Sequence, residues 1–221
     1  MLNRSEHIRE LLKLYFIMGS VNCRQSPADT LLQALNGGIT LFQFREKGPG
    51  ALGGAAAVDL ARQLQAICRQ RGIPFIVNDD IGLAEMLDAD GVHVGQEDEP
   101  AAAIRRRLGA DKIVGVSAHT LEEAQQAIAD GADYLGVGPV YPTSSKEDAR
   151  AVQGTQVIEQ LRRSGLSIPL VGIGGITADN VTPVVRAGAD GISVISAVAQ
   201  APDITGAARH LLHKVITSSR T

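Results

Sequence analysis

Charged and amide side chains directly follow several short apolar runs of this chain. In the clearest case, residues 40–47 read Thr-Leu-Phe-Gln-Phe-Arg-Glu-Lys, so Gln43, Arg45 and Lys47 lie at the end of a predicted strand. Alternate side chains of a strand share a face, which places Gln43 and Arg45 together and Phe44 opposite. Arginine binds phosphate oxygens through a bidentate fork, and lysine adds a compact charge. The pattern indicates either a solvated face or a face that binds an anion.

Two aspartates follow the next two predicted strands. The predicted strand 75–77 runs into Asn78 and Asp79, and Asp98 comes shortly after the predicted strand 92–94. In neighbouring strands of a barrel, both carboxylates can bind one Mg²⁺, with phosphate oxygens and water completing its octahedral shell. Alternatively, Asp79 caps the following helix and Asp98 belongs to a solvated acidic loop.

The cations near these carboxylates favour the metal. They are Arg45, Lys47 and Lys146, the last of which lies in a long loop at 138–154. A diphosphate leaving group requires a metal ion together with cations, because its negative charge must be neutralised as it departs. The sequence therefore predicts a magnesium and diphosphate site.

Glycine-rich strand ends form a second candidate anion site. Residues 172–177 and 193–197 form the ends of the last two predicted strands, and exposed backbone N–H groups at such ends often bind phosphate in α/β barrels. A tight turn explains each glycine taken alone, but two neighbouring ends favour phosphate. Two anion sites suggest two phosphorylated substrates.

No pattern of covalent catalysis is present in the sequence. It has no Ser-His-Asp order, no G-x-S-x-G elbow and no H-E-x-x-H motif. His93 lies inside a short predicted strand and fits either a buried core residue or a ligand-binding residue. The sequence therefore predicts chemistry by positioning and neutralisation of charge.

The apolar pattern also predicts the elements that bring these segments together. Eight short strands alternate with eight helices, and residues 89–92, 132–135 and 189–192 repeat an Ala-Asp junction, with 37–40 as a looser copy. A (β/α)8 TIM barrel fits this order and places its site at the C-terminal strand ends. A doubly wound open sheet is the alternative, but neither glycine-rich stretch matches the dinucleotide fingerprint. We predict one α/β TIM-barrel domain over residues 1–221.

Composition restricts the class and the location of the protein. Hydrophobic residues make up 44% and aromatic residues 3% of 221 residues, which predicts a core of Ala, Val, Ile and Leu. The net charge of −3 argues against a nucleic-acid surface. Cys23 and Cys68 lack any pairing or metal-type spacing, and the apolar run at 11–18 is too short to cross a bilayer. We expect a soluble cytoplasmic protein that binds neither nucleic acid nor membrane.

Five motifs, taken in order, closely resemble the thiamine-phosphate synthase family. They are Gln43-Phe44-Arg45-Glu46-Lys47, Asn78-Asp79-Asp80, residues 89–98, residues 138–143 with Lys146, and residues 171–176. The resemblance covers nearly the whole chain and is specific because the motifs occur together. It implies a TIM-barrel transferase that joins 4-amino-5-hydroxymethyl-2-methylpyrimidine diphosphate to 4-methyl-5-(2-hydroxyethyl)thiazole phosphate, uses Mg²⁺ and releases diphosphate.

The resemblance also implies roles for individual residues. The pyrimidine diphosphate would be held by Gln43, Phe44, Arg45, Glu46, Lys47, Asn78, His93, Ser117 and Lys146. The thiazole phosphate would be held by Thr143, Ser144, Ser145, Gly175, Ile195 and Ser196. Asp79 and Asp98 would bind Mg²⁺, and Arg45, Lys47, Ser117 and Lys146 would act in catalysis. The family usually has threonine where this chain has Ser145, which retains the hydroxyl.

The implied mechanism needs no covalent nucleophile. The 4-amino group of the pyrimidine pushes electrons as diphosphate leaves, and the thiazole nitrogen captures the resulting carbocation, with the loop at 138–154 as a lid. A thiazole tautomerase of the same barrel family and a non-catalytic phosphate-binding barrel are the alternatives. The complete set of diphosphate and metal residues favours the synthase. An oligomer is compatible with the sequence but is not predicted by it.

Overall fold

The computed structural model describes residues 3–145 and 151–219, and its eight parallel strands close into a barrel in sequence order. The strands are β1 Leu14–Met18, β2 Leu41–Phe44, β3 Phe75–Asn78, β4 Gly91–Val94, β5 Ile113–Ala118, β6 Tyr134–Val137, β7 Leu170–Ile173 and β8 Gly191–Val194. Strand β1 pairs with both β2 and β8, which closes the ring. The predicted TIM barrel is confirmed, and the open sheet is wrong.

Helices surround the barrel. They are α1 Arg4–Leu11, α2 Pro27–Gly37, α3 Gly54–Gln70, α4 Ile81–Leu87, α5 Ala101–Leu108, α6 Leu121–Ala129, α7 Gln156–Arg163, α8 Val181–Arg186, α9 Ser196–Ala199 and α10 Ile204–Ser218. Helices α1 and α9 were not among the eight expected. Helix α1 buries only Ile8, and α9 has four residues, so neither shows a periodic apolar stripe.

Alternating side chains of the strands separate two cores. Phe42 and Phe44 face outward into the main core between strands and helices. Tyr15 and Tyr134 face inward and form an interior layer together with Leu41, Ile76, Ile113 and Val171. Gln43 is fully buried and donates a hydrogen bond to the hydroxyl of Tyr15, which confirms the predicted faces of β2.

The repeated Ala-Asp junctions clamp the N-terminal ends of neighbouring strands. The amide of Asp90 donates to Phe75 O over 3.1 Å, and Asp90 Oδ2 accepts from Phe75 N over 2.8 Å. The same two-point clamp joins Asp133 to Val114, Asp190 to Leu170 and, through a hydroxyl, Thr40 to Leu14. The sequence repeat therefore marks the four places where an even-numbered strand enters beside an odd-numbered one.

Two of these clamps also fix helix α1 across the N-terminal end of the barrel. Arg4 Nε donates to Asp133 Oδ1 over 2.7 Å, and Arg9 Nη1 donates to Asp190 Oδ2 over 3.2 Å. Ile8 lies between these arginines and packs against the interior layer. Helix α1 therefore covers the end of the barrel opposite the predicted site.

Replacing the carboxylate of Asp133 is expected to destabilise the fold. Burial raises the pKa of Asp133, but hydrogen bonds from Arg4, the Val114 amide and Arg105 outweigh it and leave the pKa below its ordinary value. Both oxygens of Asp133 accept these hydrogen bonds, and asparagine keeps one acceptor oxygen and no charge. We therefore expect Asp133→Asn to lower the free energy of unfolding by about 2 kcal/mol at neutral pH. Urea unfolding followed by circular dichroism measures this change.

The contribution of Asp133 to the stability of the fold should also depend on pH. The pKa of Asp133 is lower in the folded protein than its ordinary value of 3.8, so the carboxylate stabilises the fold fully above pH 3.8. This stabilisation is lost as the pH falls through the pKa that Asp133 has in the folded protein. The free energy of unfolding of Asp133→Asn should therefore fall less steeply than that of the wild type as the pH is lowered below 3.8. The exposed pair of Asp88 with Lys112 supplies the control, Asp88→Asn, for which we expect no change. Equal losses of stability in the two variants would contradict the clamp.

Candidate active site

A cavity of about 360 Å³, here called the first cavity, opens at the C-terminal ends of the strands. Its lining includes seven residues of the predicted pyrimidine diphosphate and magnesium sites: Arg45, Lys47, Asn78, Asp79, His93, Asp98 and Ser117. Asn78, His93 and Ser117 lie within strands β3, β4 and β5. The other four residues follow the ends of β2, β3 and β4. The predicted convergence of these segments on one rim of the barrel is found in the structure.

The backbone decides which of two adjacent aspartates caps helix α4. Asp80 is the cap, because its Oδ1 accepts from Leu83 N over 2.8 Å. Asp79 adopts a left-handed conformation with φ 60° and lines the first cavity instead. The alternative in which Asp79 serves as the helix cap is wrong.

Asp79 lies between a cation and a second carboxylate. Lys47 Nζ donates to Asp79 Oδ2 over 3.1 Å. Burial raises the pKa of Asp79, the hydrogen bond from Lys47 opposes this shift, and the neighbouring charge of Asp98 adds to it, so the pKa lies above its ordinary value. Asp98 is held by the backbone, since its Oδ2 accepts from Gly95 N over 2.7 Å. Two carboxylates that repel each other in this way are suited to share a divalent cation.

A cation site here would be completed by the ligand. Within residues 3–145 and 151–219, no group of three or more His, Cys, Asp or Glu side chains is arranged to hold a metal ion. Asp79 and Asp98 thus offer a partial coordination shell, as Mg²⁺ sites that also use substrate phosphates do. The residues fit the predicted ion.

Three predicted residues of the 43–47 segment do not line the first cavity. Gln43 is buried in the barrel interior. Phe44 packs in the outer core. Glu46 braces two loops, because its carboxylate accepts from Ser20 N over 2.7 Å and from Leu52 N over 2.8 Å. Arg45, by contrast, is 7% exposed at the cavity wall.

Lys146 lies outside the described residues, as does part of the predicted lid at 138–154. The segment 146–150 carries this lysine. Its predicted role remains a prediction from the resemblance.

A second cavity of about 330 Å³ adjoins the first one. It is lined by all six residues predicted to hold the thiazole phosphate: Thr143, Ser144, Ser145, Gly175, Ile195 and Ser196. Ser145 Oγ donates to Ser196 Oγ over 3.2 Å, which brings the loop after β6 to the start of α9. Thr143, Ile173 and Gly174 line both cavities, so the two ligands of a condensation can meet there.

The glycines after β7 allow this loop to approach closely. Gly175 has φ 61°, and a Cβ at this position would lie 2.4 Å from Pro142 O. Asn180 fixes the turn, because its Oδ1 accepts from Thr177 N and its Nδ2 donates to Gly175 O. Both the turn and the close approach therefore require glycine, and the same turn forms one wall of the second cavity.

His93 belongs both to the core and to the first cavity. It is 8% exposed, its Nδ1 lies 3.0 Å from the hydroxyl of Tyr134, and its Nε2 lies 3.0 Å from Ser117 Oγ. The two readings of His93 from sequence are therefore compatible. Tyr15 and Tyr134 were not predicted as site residues, because the prediction considered only strand ends and both tyrosines lie near the start of their strands.

Comparison with known proteins gives a consistent result. Residues 14–198 match the family model described as thiamine monophosphate synthase. Thiamine-phosphate synthase from Geobacillus kaustophilus is 61% identical over 211 residues, covering 96% of this chain and 95% of the relative. The corresponding protein of Bacillus cereus is 56% identical over 213 residues, covering 96% and 97%. The solved structure of thiamine phosphate pyrophosphorylase from Pyrococcus furiosus has a TM-score of 0.84 and 36% identity, covering 96% of this chain and 98% of that one.

Proposed function

The chain belongs to the thiamine monophosphate synthase family, and we propose that its first cavity binds the pyrimidine diphosphate and its second cavity the thiazole phosphate. Membership makes the protein an enzyme, a transferase of thiamine biosynthesis. The two alternatives, a thiazole tautomerase and a non-catalytic phosphate-binding barrel, are not favoured, since its curated relatives are named synthases.

The contiguity of the two cavities is the observation that supports this assignment. The first cavity holds the cations and carboxylates that a diphosphate needs, and the second is lined by hydroxyls and glycine backbone. Thr143 and Gly174 belong to both walls. A pyrimidine methylene in one cavity would thus face a thiazole ring in the other, which is the arrangement that carbon–nitrogen bond formation requires.

Asp79 and Asp98 would hold Mg²⁺ in the first cavity. When bound, the ion neutralises diphosphate oxygens and so makes diphosphate a better leaving group. Lys47 donates to Asp79 in the described structure and can turn to a phosphate oxygen once a cation occupies that carboxylate. Arg45 lines the same cavity, and its guanidinium would bind the diphosphate through two parallel hydrogen bonds.

The residues of the site bind, orient and neutralise; no side chain needs to form a covalent bond. The bond between the pyrimidine methylene and diphosphate breaks, and its electron pair leaves with diphosphate. The 4-amino group stabilises the resulting cation, and the lone pair of the thiazole nitrogen forms the new bond. Fixed charges are most effective for such a step in a site that excludes water.

The cellular compartment of the enzyme is also a proposal. Among the described residues, no helix is long and apolar enough to cross a membrane. Cys23 and Cys68 are free thiols, which a reducing compartment preserves. We propose that the enzyme works in the cytoplasm on two small phosphorylated substrates.

Incubation with both substrates and Mg²⁺ tests the proposed function. We expect thiamine phosphate and diphosphate in equal amounts, and no product when either substrate or Mg²⁺ is left out. Rearrangement of the thiazole phosphate without the pyrimidine would instead identify a tautomerase. Phosphate binding without turnover would identify a non-catalytic barrel.

The second cavity predicts a selective effect on thiazole binding. Ser196→Ala removes a hydroxyl that lines this cavity and accepts from Ser145. We expect the KM for thiazole phosphate to rise about tenfold, because a hydrogen bond to a charged group contributes about 1.5 kcal/mol. Steady-state kinetics should show an unchanged KM for the pyrimidine diphosphate. An equal rise in both KM values would contradict the division between the two cavities.

A further inference from the structure

A chain of hydrogen bonds crosses the barrel interior and ends at the first cavity. We call it the interior relay: Gln43, Tyr15, Tyr134, His93 and Ser117. Gln43 Nε2 lies 2.6 Å from Tyr15 Oη, and the two tyrosine hydroxyls are 2.8 Å apart. Tyr134 Oη lies 3.0 Å from His93 Nδ1, and His93 Nε2 lies 3.0 Å from Ser117 Oγ. The five residues come from five different strands, and His93 and Ser117 line the cavity.

Two glycines make room for the relay. A Cβ at Gly115 would lie 2.1 Å from Tyr134 Cζ, and one at Gly136 would lie 3.0 Å from His93 Cε1. The interior of an eight-stranded barrel is otherwise filled by side chains. These glycines leave space for the rings of Tyr134 and His93, which stack with centroids 5.5 Å apart.

The amide end of the relay sets the direction of every hydrogen bond. An amide nitrogen can only donate, so Tyr15 Oη accepts from Gln43 Nε2. Tyr15 is fully enclosed, and Tyr134 Oη is the acceptor within reach of its hydroxyl among the described residues. The reversed amide would leave both buried N–H groups without an acceptor, whereas the observed one pairs one N–H with Tyr15 and leaves Oε1 as the amide atom without a partner within the described residues. Unpaired buried acceptors are tolerated better than unpaired donors.

The remaining directions follow in turn. Tyr134 accepts from Tyr15, and among the described residues His93 Nδ1 is the acceptor within reach of its own proton, so Tyr134 donates to it. The proton of neutral His93 then lies on Nε2, which donates to Ser117 Oγ. The hydroxyl proton of Ser117 is left to donate to a ligand in the first cavity.

We propose that the interior relay holds Ser117 as a hydrogen-bond donor to a ring nitrogen of the bound aminopyrimidine. The ring nitrogens of this ligand are acceptors, so the fixed donor selects one orientation of the ring. Tyr15 and Tyr134 act as positioning residues through His93. The identity of the ligand rests on the proposed function, whereas the direction of the relay does not.

The two tyrosines keep their protons throughout the physiological range. Burial raises the pKa of Tyr15 far above its ordinary value, although its hydrogen bonds to Tyr134 and Gln43 oppose the shift. Burial and the neighbouring Tyr15 raise the pKa of Tyr134 in the same direction. Both phenols are therefore neutral, and their ionisation does not change the direction of the relay.

The tautomer of His93 reports the direction of the relay. We expect the ¹⁵N spectrum of the ligand-free, histidine-labelled protein to show His93 protonated at Nε2. Tyr134→Phe removes the donor to Nδ1 and should give a mixture of tautomers. Gln43→Glu replaces the donor by an acceptor, which reverses each hydrogen bond and should move the proton to Nδ1. The third tyrosine, Tyr141, donates to Asn180 O outside the relay, so Tyr141→Phe is the matched control and should leave the His93 signals unchanged.

Kinetics separates positioning from a merely structural role. With Tyr134→Phe we expect the KM for the pyrimidine diphosphate to rise about fivefold, with kcat and the KM for thiazole phosphate unchanged, because an orienting hydrogen bond is made equally before and during the reaction. A wild-type His93 protonated at Nδ1, or a Tyr134→Phe spectrum identical to wild type, would overturn the proposal. The spectra test the relay independently of the proposed function. If His93 showed the expected tautomers but the protein made no thiamine phosphate, the direction of the relay would stand and only the identity of its ligand would be wrong.

Discussion

The Asp98→Asn variant is expected to lose roughly a thousandfold in kcat/KM and to lose its dependence on Mg²⁺. Asparagine keeps an oxygen that can accept from Gly95 N, so the loop should stay in place. What the substitution removes is one of the two carboxylates that would hold the ion. Turnover measured as a function of Mg²⁺ concentration gives both quantities.

The neighbouring carboxylate of Asp80 supplies the control. Asp80 caps helix α4, and asparagine is an equally good cap, so Asp80→Asn should keep the rate and the Mg²⁺ dependence of wild type. If Asp98→Asn retained the wild-type rate, or if Asp80→Asn lost as much, the proposed Mg²⁺ site would be wrong.

The Arg45→Met variant should show the second large effect. Methionine preserves much of the buried stem but removes the guanidinium that faces the first cavity. We expect kcat to fall by about 100- to 1000-fold, because the lost charge is needed most as diphosphate departs. The KM for thiazole phosphate should stay unchanged. Rapid-quench measurement of diphosphate release would locate the loss in bond cleavage.

Two further variants sharpen this prediction. Arg45→Lys keeps the charge but not the fork, so it should recover only part of the rate. Arg106 lies exposed on α5, away from either cavity, and Arg106→Met should have wild-type kinetics. A large loss in Arg106→Met, or none in Arg45→Met, would contradict the role of Arg45 in neutralising the leaving group.

Much of the fold could be predicted because each strand and helix carries a local signal. The limits of β6 and β7 match the prediction. Asp133 and Gly138 bound the apolar run of β6, and Pro169 and Gly174 bound that of β7. The repeated Ala-Asp junctions indicated a closed barrel, and the structure explains them as clamps between adjacent strands. Helix α1 could not be predicted in this way, because arginine contacts with Asp133 and Asp190 hold it rather than an apolar face.

The site could be predicted where it lies at strand ends and not where it lies inside the barrel. Arg45 and Asp98 follow apolar runs directly, and parallel strands bring such ends to one rim. Choosing between Asp79 and Asp80 as helix cap required the backbone dihedral angle of Asp79. Tyr134 gave no signal as a site residue, although Gly115 and Gly136 at inward positions indicate that a large side chain occupies the interior.

Binding of Mg²⁺ and diphosphate tests most directly whether the first cavity neutralises the departing group. Isothermal titration of diphosphate into the wild-type protein should show binding that requires Mg²⁺. The same titration into Asp98→Asn should show little or none, while thiazole phosphate still binds to the second cavity. Equal diphosphate affinity in both proteins, or binding that is indifferent to Mg²⁺, would contradict the account.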